Sequence, residues 1–214
     1  MTPVSVADAV ADELRRRLLA GHYLAGEQLR DTDLSEEFGI ARPTVRVAVQ
    51  MLVADGLLER GRGRSAEVRR FTASDAVDLY TLRRPIETRA LELVIEGDHR
   101  LDGIALAMDR FAALESDSAW DVVADHDIGF HRAVFVAAGS PHLLRTFDDV
   151  GSEMRLLIAQ LRPSYGSVAD LAGEHEPMLL ALKARDLSRA KSLWDMHFDE
   201  SEQFFLNLIK ERTL

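Results

Sequence analysis

Along the first seventy residues the apolar positions switch period several times, and each switch marks a predicted element. Val6, Val10, Leu14, Leu18 and Leu19 recur at helical spacing until Gly21, which predicts a helix over roughly residues 5–20. The stretch GHYLAGEQL then reads as a turn or short extended link. In DLSEEFG, Leu34 and Phe38 form an i, i+4 apolar pair closed by Gly39, with Asp31 or Thr32 as a capping residue. IARPTVRVAVQMLVADGLL follows, with Pro43 near its start, where the missing N–H costs little; Val45, Val49, Leu52 and Val53 share one face until Gly56. Helix, tight turn, helix is the helix-turn-helix pattern. LLERGRGRSAEVRRF adds two short strand-like stretches around Gly61 and Gly63, which predicts a wing.

From Thr72 onward the period is helical almost throughout. Breaks near Gly97, Ser116–Ser118, Gly139–Pro141, Pro163–Gly166 and Arg185–Asp186 delimit about six helices. The predicted fold is mainly α: an N-terminal winged helix-turn-helix over residues 1–70 and an all-α antiparallel bundle over residues 71–214. Pro85, inside the first bundle helix, is expected to kink it or mark a break, because proline removes one intrahelical bond.

Composition agrees with two domains, since 214 residues with 47% hydrophobic content supply apolar surface for more than one core. No apolar run reaches eighteen residues, and Asp8, Asp12 and Glu13 lie where a secretory signal would be apolar. A soluble cytoplasmic protein with no membrane partner is expected. The absence of cysteine leaves His and carboxylates as the ligands for any metal.

Charge changes the picture further. The net charge is −10, yet residues 1–70 hold 11 Arg, no Lys and 11 Asp/Glu, so the acidic excess lies in the second part. Residues 41–70 carry seven Arg (42, 46, 60, 62, 64, 69 and 70) against Asp55, Glu59 and Glu67. A local basic patch of this kind is the footprint of phosphate binding, and the planar guanidinium fork suits guanine. Arg42, Thr44 and Arg46 fall at the N-terminal end of the second helix, which enters the major groove in this motif, so they are the base-reading candidates. Arg62 and Arg64 at the wing tip suit phosphate or minor-groove contact with double-stranded operator DNA. Two-fold operators place half-sites about one helical turn apart, which predicts a homodimer.

The segments LLAGHYLAGEQL (18–29), DLSEEFGIARPTVRVAVQML (33–52) and DGLLERGRGRSAEV (55–68) resemble the GntR family of winged-helix repressors, in its FadR-like branch. The resemblance implies operator contacts by Arg42, Thr44 and Arg46, joined by Thr32 at the start of the preceding helix and Gly63 in the wing. Ala25 replaces the family's usual proline, and Val47 its common glutamate.

In the second part the candidate chemistry is a metal site. Asp127 and His131 in DHDIGFHRA are four apart and project from one helix face; His175 in GEHEPML and His197 in WDMHFDES are further candidates. The segments LRRPIE (82–87), DIGFHRAVFVAAGSPHL (127–143) and EHEPMLLALKARDLSRAKSLWDMH (174–197) resemble the FCD ligand-binding domain of that branch, with Ser140 where the family usually has asparagine. The resemblance implies that Asp127, His131, His175 and His197 hold one divalent metal ion of the Zn, Ni or Mn class. His22, His99, His126 and His142 match no ligand position and read as structural or exposed. Open positions on the ion would admit a small carboxylate effector, with Arg83, and secondarily Arg84, gripping a second acid group; the alternative for Arg83 is a pair with Glu87 one turn on. The expected function is therefore a DNA-binding transcription regulator, a repressor tuned by a small organic acid, and not an enzyme. A metal-sensing regulator and a metal-dependent hydrolase are the competing functions.

Overall fold

The computed structural model describes residues 5–61, 65–160 and 167–213. Helix α1 (Val6–Leu19) starts at a capping box in which Ser5 and Asp8 satisfy each other's backbone N–H groups. Strand β1 (Gln28–Arg30) leads into α2 (Asp31–Phe38), which ends at Gly39 with φ 64°, a left-handed conformation that glycine adopts without a Cβ penalty. Asp31 is the first residue of α2 rather than its cap; Arg30 holds the cap position without a side-chain bond. Recognition helix α3 (Arg42–Ala54) has proline in its first turn and buries Val45, Ala48, Val49 and Leu52 against α1 and α2.

The predicted wing forms strands β2 (Leu58–Arg60) and β3 (Ser65–Val68), antiparallel, with Leu58 opposite Val68. The stretch expected to be a turn or short extended link contributes β1 to the same sheet, in the order β1-β3-β2, with Leu29 opposite Ala66. A side-chain cap contributes about 1 kcal/mol. Full burial of Leu14, Leu18, Val45 and Leu52 contributes about 1.5–3 kcal/mol each, so packing holds this domain together and caps set its element boundaries.

The second part holds six helices among the described residues: α4 (Ala73–Glu96), α5 (Asp102–Ala112), α6 (Trp120–Ala138), α7 (Pro141–Gln160), α8 (Val168–Lys183) and α9 (Leu187–Thr213). The breaks expected at Gly97, Ser116–Ser118 and Arg185–Asp186 lie between helices, Gly139–Pro141 runs from the cap of α6 to the first residue of α7, and Pro163–Gly166 falls outside the described residues. Helix α6 packs against α4, α5 and α7, while α8 packs on α5 and α9, and α9 returns to α4. Phe130, Phe135, Phe147, Trp194 and Phe198 are buried between these helices.

Pro85 does not end α4, which runs through it. Pro85 and Thr81 are both exposed, which puts the interrupted turn on the solvent face, where a carbonyl freed by proline can bond to water. That arrangement sends Arg83 and Glu87, two residues to either side, into the core. Among the described residues no helix is long and apolar enough to cross a membrane.

Helix α7 also meets the first domain. Glu153 pairs with Arg69 in the link between β3 and α4, and Gln160 Nε2 donates to the Arg69 carbonyl at 2.7 Å. The same Glu153 lies against Gly56, just past α3, where φ is 71° and a Cβ would come within 2.6 Å of Glu153 Cγ. The positive φ favours glycine there, and a Cβ would also oblige the Glu153 side chain to shift.

Candidate functional site

Four donors meet at the centre of the bundle. Asp127 and His131 come from α6, one turn apart, His175 from α8 and His197 from α9; all four are buried and their donor atoms lie within 4.8 Å of one another. His22 and His142 are exposed and His99 and His126 half-buried, apart from this cluster.

Hydrogen-bond partners fix the tautomers. His131 Nδ1 lies 2.7 Å from Glu87 Oε2, and a carboxylate with a pKa held down at about 2 accepts only, so Nδ1 carries the proton and Nε2 is bare in the neutral ring. His175 Nδ1 lies 2.9 Å from the Leu171 carbonyl, which likewise accepts only, leaving its Nε2 bare. Those two Nε2 atoms are 3.3 Å apart, and His175 Nε2 is 3.3 Å from Asp127 Oδ1. With both rings neutral, two nitrogen lone pairs and a carboxylate oxygen converge in a buried site, an arrangement that a positive charge between them would relieve. Burial pushes His131 below the usual imidazole range and His197 down to about 4, which disfavours a proton as that charge. Burial alone would raise the Asp127 carboxyl, but the neighbouring His175, His131 and His197 hold it well below the usual carboxylate range.

A divalent cation fits this donor set. Two donor pairs stand 3.3 Å apart and all four donor atoms lie within 4.8 Å of one another, close enough for one ion to be shared among them. Nitrogen and carboxylate ligands suit zinc, nickel or manganese where thiolates are absent.

Glu87 organises the site from behind. Its Oε1 accepts from Arg83 Nε at 2.7 Å, and its Oε2 accepts from His131 Nδ1 and from Trp194 Nε1 at 3.0 Å. Burial alone would raise its carboxyl, and Arg83 and His131 override that effect. The pair read from sequence as the alternative for Arg83 is thus present, yet it uses one edge of the guanidinium: Nη2 is buried with no hydrogen-bond partner. Arg84 points elsewhere, to Asp199 and Glu202. Arg83, Asp127 and His197 line one cavity together with Tyr80 and Ser201. Sequence reading missed Glu87 as a hub, because two of its three partners arrive from α6 and α9 and only the i+4 spacing to Arg83 is visible along the chain.

The other predicted surface forms at the start of α3. Thr32, Arg42 and Arg46 line one shallow groove with Gln28, Arg30 and Ser65. Arg46 Nε is held by Asp31 Oδ2 at 2.5 Å, and Arg42 is exposed beside it. Thr44, half-buried, sits between them on the first turn, and Val47 is 50% exposed on the same helix. Arg62, Gly63 and Arg64 lie outside the described residues. Gln28 and Arg30 were missed, since β1 carried no strand signal of its own.

Comparison with known proteins agrees with both halves. Residues 6–68 match the description "Bacterial regulatory proteins, gntR family", and residues 78–200 match the FCD domain. An 85-residue stretch, 40% of this chain, is 33% identical to the uncharacterized HTH-type transcriptional regulator YdhC of Bacillus subtilis (strain 168) and covers 38% of that protein. Over 198 residues, 92% of this chain and 87% of the relative, it is 26% identical to the "Probable D-xylose utilization operon transcriptional repressor" of Paenarthrobacter nicotinovorans. The crystal structure of a GntR transcriptional regulator from Rhodococcus sp. RHA1 superposes with a TM-score of 0.84 at 25% identity, covering 94% of this chain and 97% of that one. These relatives are transcription regulators, not hydrolases. With a GntR-type helix-turn-helix followed by an FCD domain, the chain belongs to the GntR family of bacterial regulatory proteins and is a DNA-binding transcription regulator.

Proposed function

We propose that this regulator is a homodimeric repressor, with residues 1–70 binding operator DNA and residues 71–214 binding a small organic acid at a divalent ion, the acid tuning operator affinity. The observation that carries the reading is the convergence of His131 Nε2, His175 Nε2 and Asp127 Oδ1, with His175 Nε2 3.3 Å from each of the other two, beside buried His197. In this reading Asp127, His131, His175 and His197 hold the ion, which when bound supplies positive charge and open positions for a carboxylate. Arg83 holds a second oxygen of the acid through its unpartnered Nη2, kept in place by Glu87.

Helix α7 supports a route between the sites. Met154 and Ile158 line the cavity, while Glu153 and Gln160 of the same helix hold Arg69 and press on the turn after α3. An acid that displaces Met154 or Ile158 therefore biases the setting of the DNA-reading helix. Coupling in such proteins is roughly 5–150-fold in affinity. Glu153→Ala is expected to leave acid binding and operator binding intact while moving the coupling factor towards one. Operator titrations with and without saturating acid check this, and undiminished coupling would contradict the route.

At the operator, Arg42, Thr44 and Arg46 read bases, Thr32 positions the helix start, and Arg62, Gly63 and Arg64 contact the backbone or minor groove from the wing. Arg46→Ala is expected to reduce specific affinity by about 1–3 kcal/mol and to relax base preference. Titrations compare a duplex selected from a random pool by the unaltered protein with a scrambled one. Equal losses on both would reassign Arg46 to phosphate contact. The whole reading is tested by operator titrations of the metal-loaded protein with candidate acids. If metal loading alone shifted operator affinity and no acid did, the protein would be a metal sensor.

A further inference from the structure

The cavity beside the four donors has two kinds of wall. Tyr80, Arg83 and Ser201 supply polar groups on the side shared with Asp127 and His197. Among the described residues the rest of the lining is Trp120, Met154, Ile158, Leu171, Phe204 and Phe205, six side chains whose only nitrogen or oxygen is the indole nitrogen of Trp120. Met154, Leu171 and Phe205 are buried, whereas Trp120, Ile158 and Phe204 are half-buried, so the apolar wall continues towards the surface.

Ligand chemistry follows from those walls. A hydroxyl pressed against such a surface loses its water without gaining a partner, a cost of roughly tenfold or more in affinity for each group. A methylene in the same place gains about fourfold. We infer that the effector is an acid with a single carboxylate head and an apolar tail, and that polyhydroxylated sugar acids are rejected. The inference rests on the metal-and-acid reading above and narrows it to one class of acid. The carboxylate lies at the end formed by Arg83, Asp127 and His197, and the tail runs along Met154 and Leu171 towards Ile158 and Phe204.

Size is consistent with a flexible wall. The cavity, about 30 Å³ as it stands, holds no more than about one or two waters, so a tail enters by turning wall side chains aside. Met154, unbranched with three rotatable bonds, yields most readily, and it sits beside Glu153 on the helix that grips Arg69.

Calorimetric titration of the full chain loaded with zinc, using acetate, hexanoate and gluconate as probes, tests this. Hexanoate is expected to bind roughly tenfold or more tightly than acetate, and gluconate no more tightly than acetate. Ile158→Asn, at a half-buried position, is expected to remove most of the hexanoate advantage and leave acetate affinity unchanged; an unaltered melting temperature checks that this variant folds. Gluconate binding as tightly as hexanoate, by a chain that has taken up zinc, would overturn the inference and leave the metal-and-acid reading standing. Zinc uptake with no heat from any acid would overturn the inference and the acid half of that reading, and no zinc uptake at all would overturn both entirely.

Discussion

Stripping the divalent ion with a chelator is expected to lower the melting temperature by roughly 10 °C. An ion present at a thousand times its dissociation constant contributes about 4 kcal/mol to a protein that binds it only when folded. For a chain of this length each kcal/mol moves the midpoint by roughly 2–4 °C. The expected mechanism is specific to the bundle: the candidate ligands come from α6, α8 and α9, so one ion would tie three helices, and His131 Nε2 and His175 Nε2 stand 3.3 Å apart. In the double variant His175→Ala, His197→Ala the chelator is expected to have no further effect, and operator binding is expected to persist without responding to acid. Melting curves recorded with and without chelator on both proteins check the effect. An unchanged midpoint in the unaltered protein would make the histidines structural.

The second large effect is expected at Glu87. Its carboxylate is the common acceptor for Arg83, His131 and Trp194 in a fully buried setting. Glu87→Ala strands a buried guanidinium and two buried N–H groups, and breaking a buried ion pair from one side costs about 3–5 kcal/mol. The same change frees the His131 ring to turn and lose its tautomer, which is expected to weaken metal affinity roughly 10–100-fold. Urea unfolding in the presence of chelator isolates the first term, and competition against a metal indicator dye isolates the second. A loss below about 1 kcal/mol with unchanged metal affinity would show that Glu87 is dispensable to the site.

Much of this architecture is legible along the chain, for reasons that are local. Val45, Val49 and Leu52 face inward because of their period, and Gly39 and Gly56 end helices because positive φ suits them. Asp127 and His131 share a helix face by spacing alone, so half of the donor set is visible before any tertiary structure. What is hidden is set by distance in sequence. Glu87 meets His131 across 44 residues and Trp194 across 107, and Glu153 meets Arg69 across 84. No periodicity reports such meetings. Strand β1 is hidden for a different reason: three residues with one buried side chain carry too little alternation, and β1 exists because β3 pairs with it. Pro85 illustrates the converse, a local break signal that helix α4 runs through with the proline on its exposed face.

The central claim, one ion held by Asp127, His131, His175 and His197, is tested most directly by elemental analysis of the purified chain after dialysis against trace divalent metals. One equivalent of zinc, nickel or manganese per chain is predicted for the unaltered protein, and close to none for the double variant His175→Ala, His197→Ala. Less than about a tenth of an equivalent in the unaltered protein, or equal content in both, would contradict it.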